Sequence, residues 1–155
     1  MERIPITRAG YESLKRELEH LKTVERPSNI KAIEEARAHG DLSENAEFHA
    51  AKERQSFIEG RVNELGYKLG NADIIDTDNL PTDRLVFGLR AVLENVDTGE
   101  SVEYMLVGPD ESDIDAGRIS VTSPLGRAML GKEIGEEVVV AAPAGKRVYE
   151  IVDIA

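Results

Sequence analysis

Two long helical patterns meet at His39-Gly40-Asp41-Leu42-Ser43-Glu44-Asn45-Ala46-Glu47. Glycine commonly follows a helix, because it adopts left-handed backbone conformations that other residues avoid, so Gly40 marks the end of the first pattern. Asp41 and Glu44 lie at this break. The stretch predicts a helical hairpin with two carboxylates at its apex, a shape that can carry negative charge or a metal ligand into a narrow hole.

Apolar residues recur at helical spacing on both sides of the break. The stripe before it consists of Tyr11, Leu14, Leu18, Leu21, Ile30, Ile33 and Ala36, and the stripe after it of Ala51, Ile58, Val62, Leu65, Leu69 and Ala72. Steps of three and four place such residues on one face of a helix. Two stripes joined by a short loop pack antiparallel to bury their faces. We therefore expect a coiled-coil hairpin over residues 1–76, with arms about 45–50 Å long at 1.5 Å per residue.

Three kinds of residue interrupt or begin these helices. Thr7 is the expected N-cap of the first arm, since its hydroxyl can accept an unpaired backbone N–H. Pro27 lacks an N–H and clashes with the preceding turn, which predicts a kink or a restart there. Gly60, Gly66 and Gly70 each weaken the second helix by about 1 kcal/mol relative to alanine. Tolerance at the helix surface explains them more simply than close helix contact does.

The composition narrows the class of protein. A chain of 155 residues forms one ordinary domain or two small ones, and the absence of cysteine excludes disulfides and thiolate metal sites. Neither a secretory signal nor a membrane-spanning run of apolar residues occurs, so the expected location is cytoplasmic. The net charge of −11 divides into −2 for residues 1–75 and −9 for residues 76–155. A basic face for duplex nucleic acid is therefore not expected, and any nucleic-acid contact belongs to the first half.

The chain changes character after residue 76. A polar segment with a proline, 77–83, predicts a linker. Beyond it we expect strands at 85–96, 101–107, 118–122, 137–142 and 147–154 and a short helix at 124–130. Turn signals at Asp97-Thr98-Gly99-Glu100 and Ala144-Gly145 predict two hairpins. Residues 84–155 are thus expected to form a small, mostly antiparallel domain, and the whole chain an α+β protein.

The two acids at the apex have a structural and a functional explanation. In a capping box, Asp41 caps the second helix and Glu44 lies at its third position, with Ser43 as an alternative cap; the spacing alone favours this role. In the functional explanation, both carboxylates share a divalent cation. Mg²⁺ takes six oxygen ligands, so two side chains leave most of its shell to substrate phosphates or a partner. This arrangement indicates metal-dependent phosphodiester cleavage completed in a partner's active site.

Two basic residues lie close to the acids. Arg37 precedes the first acid by about 6 Å of helix, and Lys52 follows the second by about 12 Å. They can hold a phosphate backbone below the apex, or they are ordinary helix-face charges beside Glu34 and Glu53. The three histidines have no recognisable zinc spacing, which favours surface or capping roles for them.

Two long motifs are the most specific features of the chain. The first is Ala36-Arg37-Ala38-His39-Gly40-Asp41-Leu42-Ser43-Glu44-Asn45-Ala46-Glu47-Phe48-His49-Ala50-Ala51-Lys52-Glu53, and the second is Ser123-Pro124-Leu125-Gly126-Arg127-Ala128-Met129-Leu130-Gly131-Lys132. They resemble the tip signature and the C-terminal signature of the bacterial Gre transcript cleavage factors. Their order and separation fit as well, and the resemblance extends over essentially the whole chain.

The resemblance implies a fold and a function. Gre factors combine an N-terminal antiparallel coiled coil with a C-terminal domain of FKBP-like fold. The domain docks at the rim of the secondary channel of RNA polymerase, and the coiled coil enters the channel. The expected function is to stimulate Mg²⁺-dependent cleavage of backtracked nascent RNA and so rescue arrested complexes. The chain is then an accessory factor rather than an enzyme, and we expect a monomer without membrane association.

Individual residues carry over from the family's motifs. Asp41 and Glu44 match the acids that hold the second Mg²⁺ jointly with the polymerase, so the isolated protein is expected to bind no metal tightly. Arg37 and Lys52 match basic positions that face the 3′ end of the RNA. The loop expected to dock on the polymerase contains Ser123, Pro124 and Leu125. On this resemblance the tip acids are functional even if they also cap the helix.

Two features depart from the family or distinguish its branches. Phe48 stands where the family often has tyrosine, which removes a hydroxyl near the tip and a hydrogen bond that it could make to RNA. Residues 1–75 lack a large basic surface, which fits the GreA type better than the GreB type. The alternatives are a regulator that occupies the channel without catalysis and a generic coiled-coil adaptor. Few aromatic residues and no tryptophan argue against prolyl isomerase activity.

Overall fold

The computed structural model describes residues 3–40 and 44–155. The chain divides into two compact units, a helical unit of Tyr11–Asn71 and a sheet unit that combines Glu2–Gly10 with Ala72–Ala155. The predicted α+β class is therefore confirmed. No helix among the described residues is long and apolar enough to cross a membrane.

The helices follow one another with short interruptions. They are α1 at Arg8–His20, α2 at Arg26–Arg37 and α3 at Ala46–Gly70, with a π-helical turn at Leu21–Glu25 between α1 and α2. Thr7 is the N-cap of α1, as predicted, because its hydroxyl accepts the N–H of Gly10 at 3.0 Å. Pro27 lies in the first turn of α2, directly after the π-helical turn, so the predicted restart is confirmed.

α2 and α3 pack against each other in opposite directions. Arg26, at the start of α2, pairs with Glu59 in the second half of α3, whereas Ala36, near the end of α2, contacts Asn45 directly before α3. The predicted antiparallel hairpin is therefore confirmed. Its buried apolar residues are Leu14, Leu21, Ala36, Ala51, Ile58, Val62 and Leu65.

Two residues of the predicted apolar stripes, Ile30 and Ala72, do not lie in the buried seam of the hairpin. Ile30 is 44% exposed, and its neighbour Asn29, only 5% exposed, takes the buried position. A π-helical turn contains more residues per turn than an α-helix, so it changes the phase of every position after it. A constant helical step does not predict that change. α3 ends at Gly70, and Ala72 belongs to a strand rather than to the helix.

The glycines of α3 lie at its surface. Apart from the adjacent backbone of α3 itself, a Cβ atom added to Gly60, Gly66 or Gly70 would meet no described atom within 4 Å. Close approach of the helices therefore does not require these glycines. The simpler explanation, tolerance at the helix surface, is confirmed.

Two short strands flank the helices and were missed by the prediction of a purely helical segment over residues 1–76. β1 at Ile4–Thr7 pairs in parallel with β2 at Ala72–Ile75. Each has only four residues, which is too short for a two-residue periodicity to be recognised. Residues 77–83, the predicted linker, follow β2 and belong to the sheet unit.

A five-stranded sheet forms most of the sheet unit. Its strands are β3 at Arg90–Asn95, β4 at Ser101–Val107, β5 at Arg118–Ser120, β6 at Glu137–Ala142 and β7 at Gly145–Ile154. Their order is β5-β4-β3-β7-β6, and only β4 and β5 pair in parallel. Both predicted hairpins, β3–β4 and β6–β7, are confirmed.

The first predicted strand of this unit is shorter than expected. It begins at Arg90 rather than at residue 85, and the preceding segment is a loop that buries Leu85 and Leu89. The predicted helix is present as α4 at Pro124–Met129. The core beneath it contains Leu85, Leu89, Ala91, Leu93, Leu106, Met129, Val138, Ile151 and Ile154.

Candidate functional site

The apex of the hairpin lies between α2 and α3. α2 ends at Arg37, and the chain turns through Gly40, whose φ of 113° lies in the left-handed region that favours glycine. α3 begins at Ala46. Asp41 and Ser43, predicted as a tip acid and an alternative cap, lie outside the described residues.

Asn45 joins the two arms at the apex. Its Oδ1 accepts the backbone N–H of Phe48 at 3.0 Å, which makes Asn45 the N-cap of α3. Its Nδ2 donates to the carbonyl oxygen of Ala36, in the last turn of α2, at 2.6 Å. Asn45 was not among the predicted site residues. The available signal was an asparagine, one of the strongest N-cap residues, directly before an uninterrupted helical pattern.

Glu44 is not part of a capping box, contrary to the structural explanation. It precedes the cap, and Phe48 occupies the third helical position that was assigned to Glu44. Its side chain is exposed. Within residues 3–40 and 44–155 it has no hydrogen-bond or ion-pair partner. Asn45 therefore provides the cap, and the exposed carboxylate of Glu44 holds no other described residue in place.

An open depression of about 440 Å³ lies at the apex, lined by His39, Glu44, Asn45, Ala46 and Glu47. Nδ1 of His39 lies 3.3 Å from Oε2 of Glu47, an ion pair when the histidine is protonated. Carboxylate oxygens suit a hard cation such as Mg²⁺, so Glu44 fits the metal that the motif implies. Among the described residues, no group of three or more potential ligands is placed to hold an ion.

The two basic residues predicted near the tip are both exposed. Arg37 is the last residue of α2, and Lys52 lies in the second turn of α3. Neither has an ion pair with a described residue, and this includes the neighbouring Glu34 and Glu53. Their positive charges therefore stay available below the apex.

Other cations of the hairpin are paired with carboxylates. These pairs are Arg26–Glu59, Arg54–Glu25, Arg61–Glu17 and Lys68–Glu64. Several exposed lysines further from the apex are as open as Lys52. Arg37 and Lys52 therefore differ from the other exposed cations of the hairpin in that they lie close to the apex.

Phe48 is partly buried at the start of α3. Its ring meets that of His49 edge-on, with centroids 5.7 Å apart and an interplanar angle of 62°. The ring thus contributes to local packing, and a tyrosine at this position would add only a hydroxyl.

The three residues predicted as a docking loop form the start of α4 instead. Ser123 is its N-cap, because the hydroxyl accepts the N–H of Gly126 at 3.0 Å and donates to the carbonyl oxygen of Ser120 at 2.7 Å. Pro124 is the exposed first residue of the helix, and Leu125 packs against the core. Serine followed by proline is a common helix start, which explains why the segment is helical. Of the three, Pro124 alone is exposed, and the other two are partly buried.

Comparison with known proteins covers almost the whole chain. Residues 4–74 match the model of the N-terminal domain of the transcription elongation factors GreA and GreB, and residues 80–155 match the model of their C-terminal domain. The chain is 56% identical to transcription elongation factor GreA of Hyphomonas neptunium, over 99% of this chain and 98% of that protein. It is 55% identical to the GreA of Thermodesulfovibrio yellowstonii, over 99% of this chain and 97% of that protein. The chain therefore belongs to the GreA/GreB family of transcription elongation factors.

Proposed function

We propose that this protein enters the secondary channel of bacterial RNA polymerase and stimulates Mg²⁺-dependent cleavage of backtracked nascent RNA. The observation that carries the proposal is the state of Glu44. It lies at the apex of a long hairpin, exposed and unpaired among the described residues, while the adjacent Asn45 performs the capping. A carboxylate in that position is free to act on another molecule.

In the proposed chemistry, two proteins contribute ligands to the same metal ion. Glu44, with Asp41 as the second acid of the motif, would supply oxygen ligands to an Mg²⁺ ion whose other ligands come from the polymerase and the RNA. Such an ion activates water and stabilises the charge on the phosphate that is cleaved. The two side chains would therefore act only within the complex, as an accessory to the polymerase rather than as an enzyme.

Arg37 and Lys52 would contact the 3′ end of the backtracked RNA. Both are exposed cations near the apex, and phosphate contacts by such residues position a nucleic acid without reading its sequence. The net charge of only −2 in residues 1–75, against −9 in the remainder, keeps repulsion of RNA low in the hairpin.

The sheet unit would dock at the rim of the channel. Of the three residues in its docking motif, Pro124 would make the contact, because it is exposed at the start of α4. Ser123 and Leu125 hold that helix in place. The protein would act as a monomer in the cytoplasm, where its partner is found.

The decisive experiment adds the protein to a backtracked polymerase complex with labelled RNA. The wild type should shorten the RNA. Asp41→Ala and Glu44→Ala should each lower the cleavage rate on the order of 10²-fold or more, because charge stabilisation at the reacting phosphate is lost. Binding to the polymerase should stay near that of the wild type. Glu19→Ala is the matched control, since it removes an exposed carboxylate from α1, far from the apex in sequence.

Three other outcomes would contradict the proposal. Full cleavage stimulation by both tip variants would refute the chemistry assigned to the acids. Binding and inhibition by the wild type without RNA shortening would support a regulator that only occupies the channel. Failure to bind polymerase in a pull-down would support a generic coiled-coil adaptor.

A further inference from the structure

Two asparagine side chains connect the arms of the hairpin in opposite directions. Nδ2 of Asn29, in α2, donates to the carbonyl oxygen of Ala51 in α3 at 2.8 Å and to Oε1 of Gln55 at 2.9 Å. Nδ2 of Asn45, directly before α3, donates back to the carbonyl oxygen of Ala36 in α2. Each amide therefore bonds to the backbone of the opposite arm.

The position of Asn29 is unusual for a polar residue. It is 5% exposed and occupies the seam where the apolar pattern predicts a hydrophobic side chain, while Ile30 faces solvent. A buried amide is costly unless its hydrogen bonds are made. Ala51 is 8% exposed and Ala36 3% exposed, and such small side chains leave the backbone carbonyls within reach. The bonds of Asn29 form only when α2 and α3 are aligned as observed.

The remaining contacts of the hairpin specify this alignment less strictly. Apolar side chains in a helical seam accept more than one alignment, and long charged side chains at the surface adapt to small shifts. Arg61, for example, pairs with Glu17 across the hairpin and with Glu64 on its own helix. A single buried amide in such a seam is known to select one register at some cost in stability.

We propose that Asn29 and Asn45 are positioning residues that set the register of the hairpin and thereby the reach of the tip carboxylates. The inference rests on the proposed function, because reach matters only if the tip acts in a partner's active site. A slip of three or four residues would displace one arm against the other by about 4.5–6 Å. A displacement of even 1 Å in a reacting group can cost about 10²-fold in rate.

The main test replaces Asn29 with leucine, which is apolar and of similar size. The midpoint of thermal unfolding should stay unchanged or rise, since a buried polar group is removed. The register should become heterogeneous, and the cleavage rate at saturating protein should fall at least about 10-fold. A gain or no change in stability combined with a loss of activity separates positioning from a merely structural role. Asn29→Ala removes the same amide without added bulk and should likewise broaden the register and lower the cleavage rate, although the cavity it leaves should also lower stability.

The register is measured independently of activity by the distance between two spin labels. The chain has no cysteine, so labels can be attached at Lys15→Cys and Glu53→Cys, two exposed positions on opposite arms. The wild-type background should give one narrow distance distribution, and Asn29→Leu should give a broad or double one. Asn63→Leu, the same change at an exposed site of α3, should leave both distance and cleavage unaltered.

A conservative exchange completes the test. Asn29→Gln combined with Gln55→Asn keeps an amide pair across the seam, and it should restore the narrow distribution and most of the cleavage rate. A single native distance in Asn29→Leu would refute the role of Asn29 in register. A broadened distance with undiminished cleavage would refute its role in the reaction. If the wild type itself stimulates no cleavage, the proposed function and the link to the reaction fail together, while the distances still decide the register.

Discussion

At the scale of single residues, the structural role and the proposed chemical role at the apex belong to two different side chains. Asn45 caps α3 through Oδ1 and bonds to α2 through Nδ2, so the fold of the tip depends on an uncharged side chain. The neighbouring Glu44 makes no bond to any described residue. A carboxylate that also capped the helix would already accept a backbone N–H, and its lone pairs would be less available to a cation.

Stability measurements on the full-length protein should show this separation. Asn45→Ala should lower the free energy of unfolding by about 1–2 kcal/mol, because α3 loses its cap. Glu44→Ala should change it by less than about 0.5 kcal/mol, as is usual for an exposed residue without partners. Urea denaturation followed by circular dichroism measures both. Asn45→Ser keeps a capping oxygen, so its free energy of unfolding should fall less than that of Asn45→Ala. An equal decrease in both variants would contradict the assignment of the cap.

At the scale of elements, α3 carries glycines that its packing does not need. Gly60 and Gly66 lie in the helix interior with open space where a Cβ would project. Gly126 in α4 is different, since a Cβ there would collide with the carbonyl oxygen of Ser120. The same residue type is thus dispensable in one helix and required in the other.

Alanine substitutions should reveal the difference between the two helices. Gly60→Ala and Gly66→Ala should each raise the free energy of unfolding by about 0.5–1 kcal/mol, because alanine loses less backbone entropy in a helix. Gly126→Ala should lower it, since the sheet unit must deform to admit the methyl group. Thermal unfolding followed by circular dichroism ranks these variants and the wild type by stability. A destabilised Gly60→Ala protein would indicate a helix contact at that position.

The ion pairs of the hairpin predict its response to acid. The hydrogen bond from Arg61 lowers the pKa of Glu17 below the usual 4.5. Arg54 does the same to Glu25, and Lys68 to Glu64. A carboxyl whose pKa is lower in the folded state contributes stability above its unfolded pKa, and this contribution is lost as the pH falls through the folded pKa.

The helical unit should therefore lose stability as the pH falls below about 4.5. Glu17→Gln should flatten this dependence, because the variant has no carboxyl to protonate at that site. Melting temperatures measured from about pH 6 to about pH 3 give the slope. Glu19→Gln, which removes an exposed carboxyl without a described ion pair, serves as the control. An equal slope in wild type and Glu17→Gln would show that the Arg61 pair adds nothing to stability.

At the scale of the whole molecule, the sheet unit is assembled from both ends of the chain. β1 precedes the hairpin and β2 follows it, and the two pair in parallel. Oε2 of Glu111, beyond β4, accepts the N–H of Thr7 and the N–H of Gly108, both at 3.0 Å, and Oε1 accepts the hydroxyl of Thr7. A Cβ on Gly10 would collide with this carboxylate. The N-terminal residues are thus part of the sheet unit, although the hairpin separates them from it in sequence.

Thr7→Val should lower the free energy of unfolding of the sheet unit by about 1–3 kcal/mol, because a part-buried carboxylate loses a donor and α1 loses its cap. Thr7→Ser retains the hydroxyl and should stay close to the wild type. Hydrogen exchange at the amides of β3 and β4 reports on this unit separately from the hairpin. Unchanged protection in Thr7→Val would show that the contact with Glu111 is not stabilising.

The sequence by itself determined the helices, their antiparallel packing, the two β-hairpins and the acidic apex. These features depend on periodicity and on turn residues within a few positions, which are local properties of the chain. Only the tertiary structure decided that Asn29 replaces Ile30 in the seam, that Asn45 also bonds to Ala36 in α2 and that β1 joins the distant β2. Each depends on a partner in another element or on a change of helical phase, and no local pattern in the sequence indicates either. The tip is therefore recognisable from sequence, whereas the contacts that position it are not.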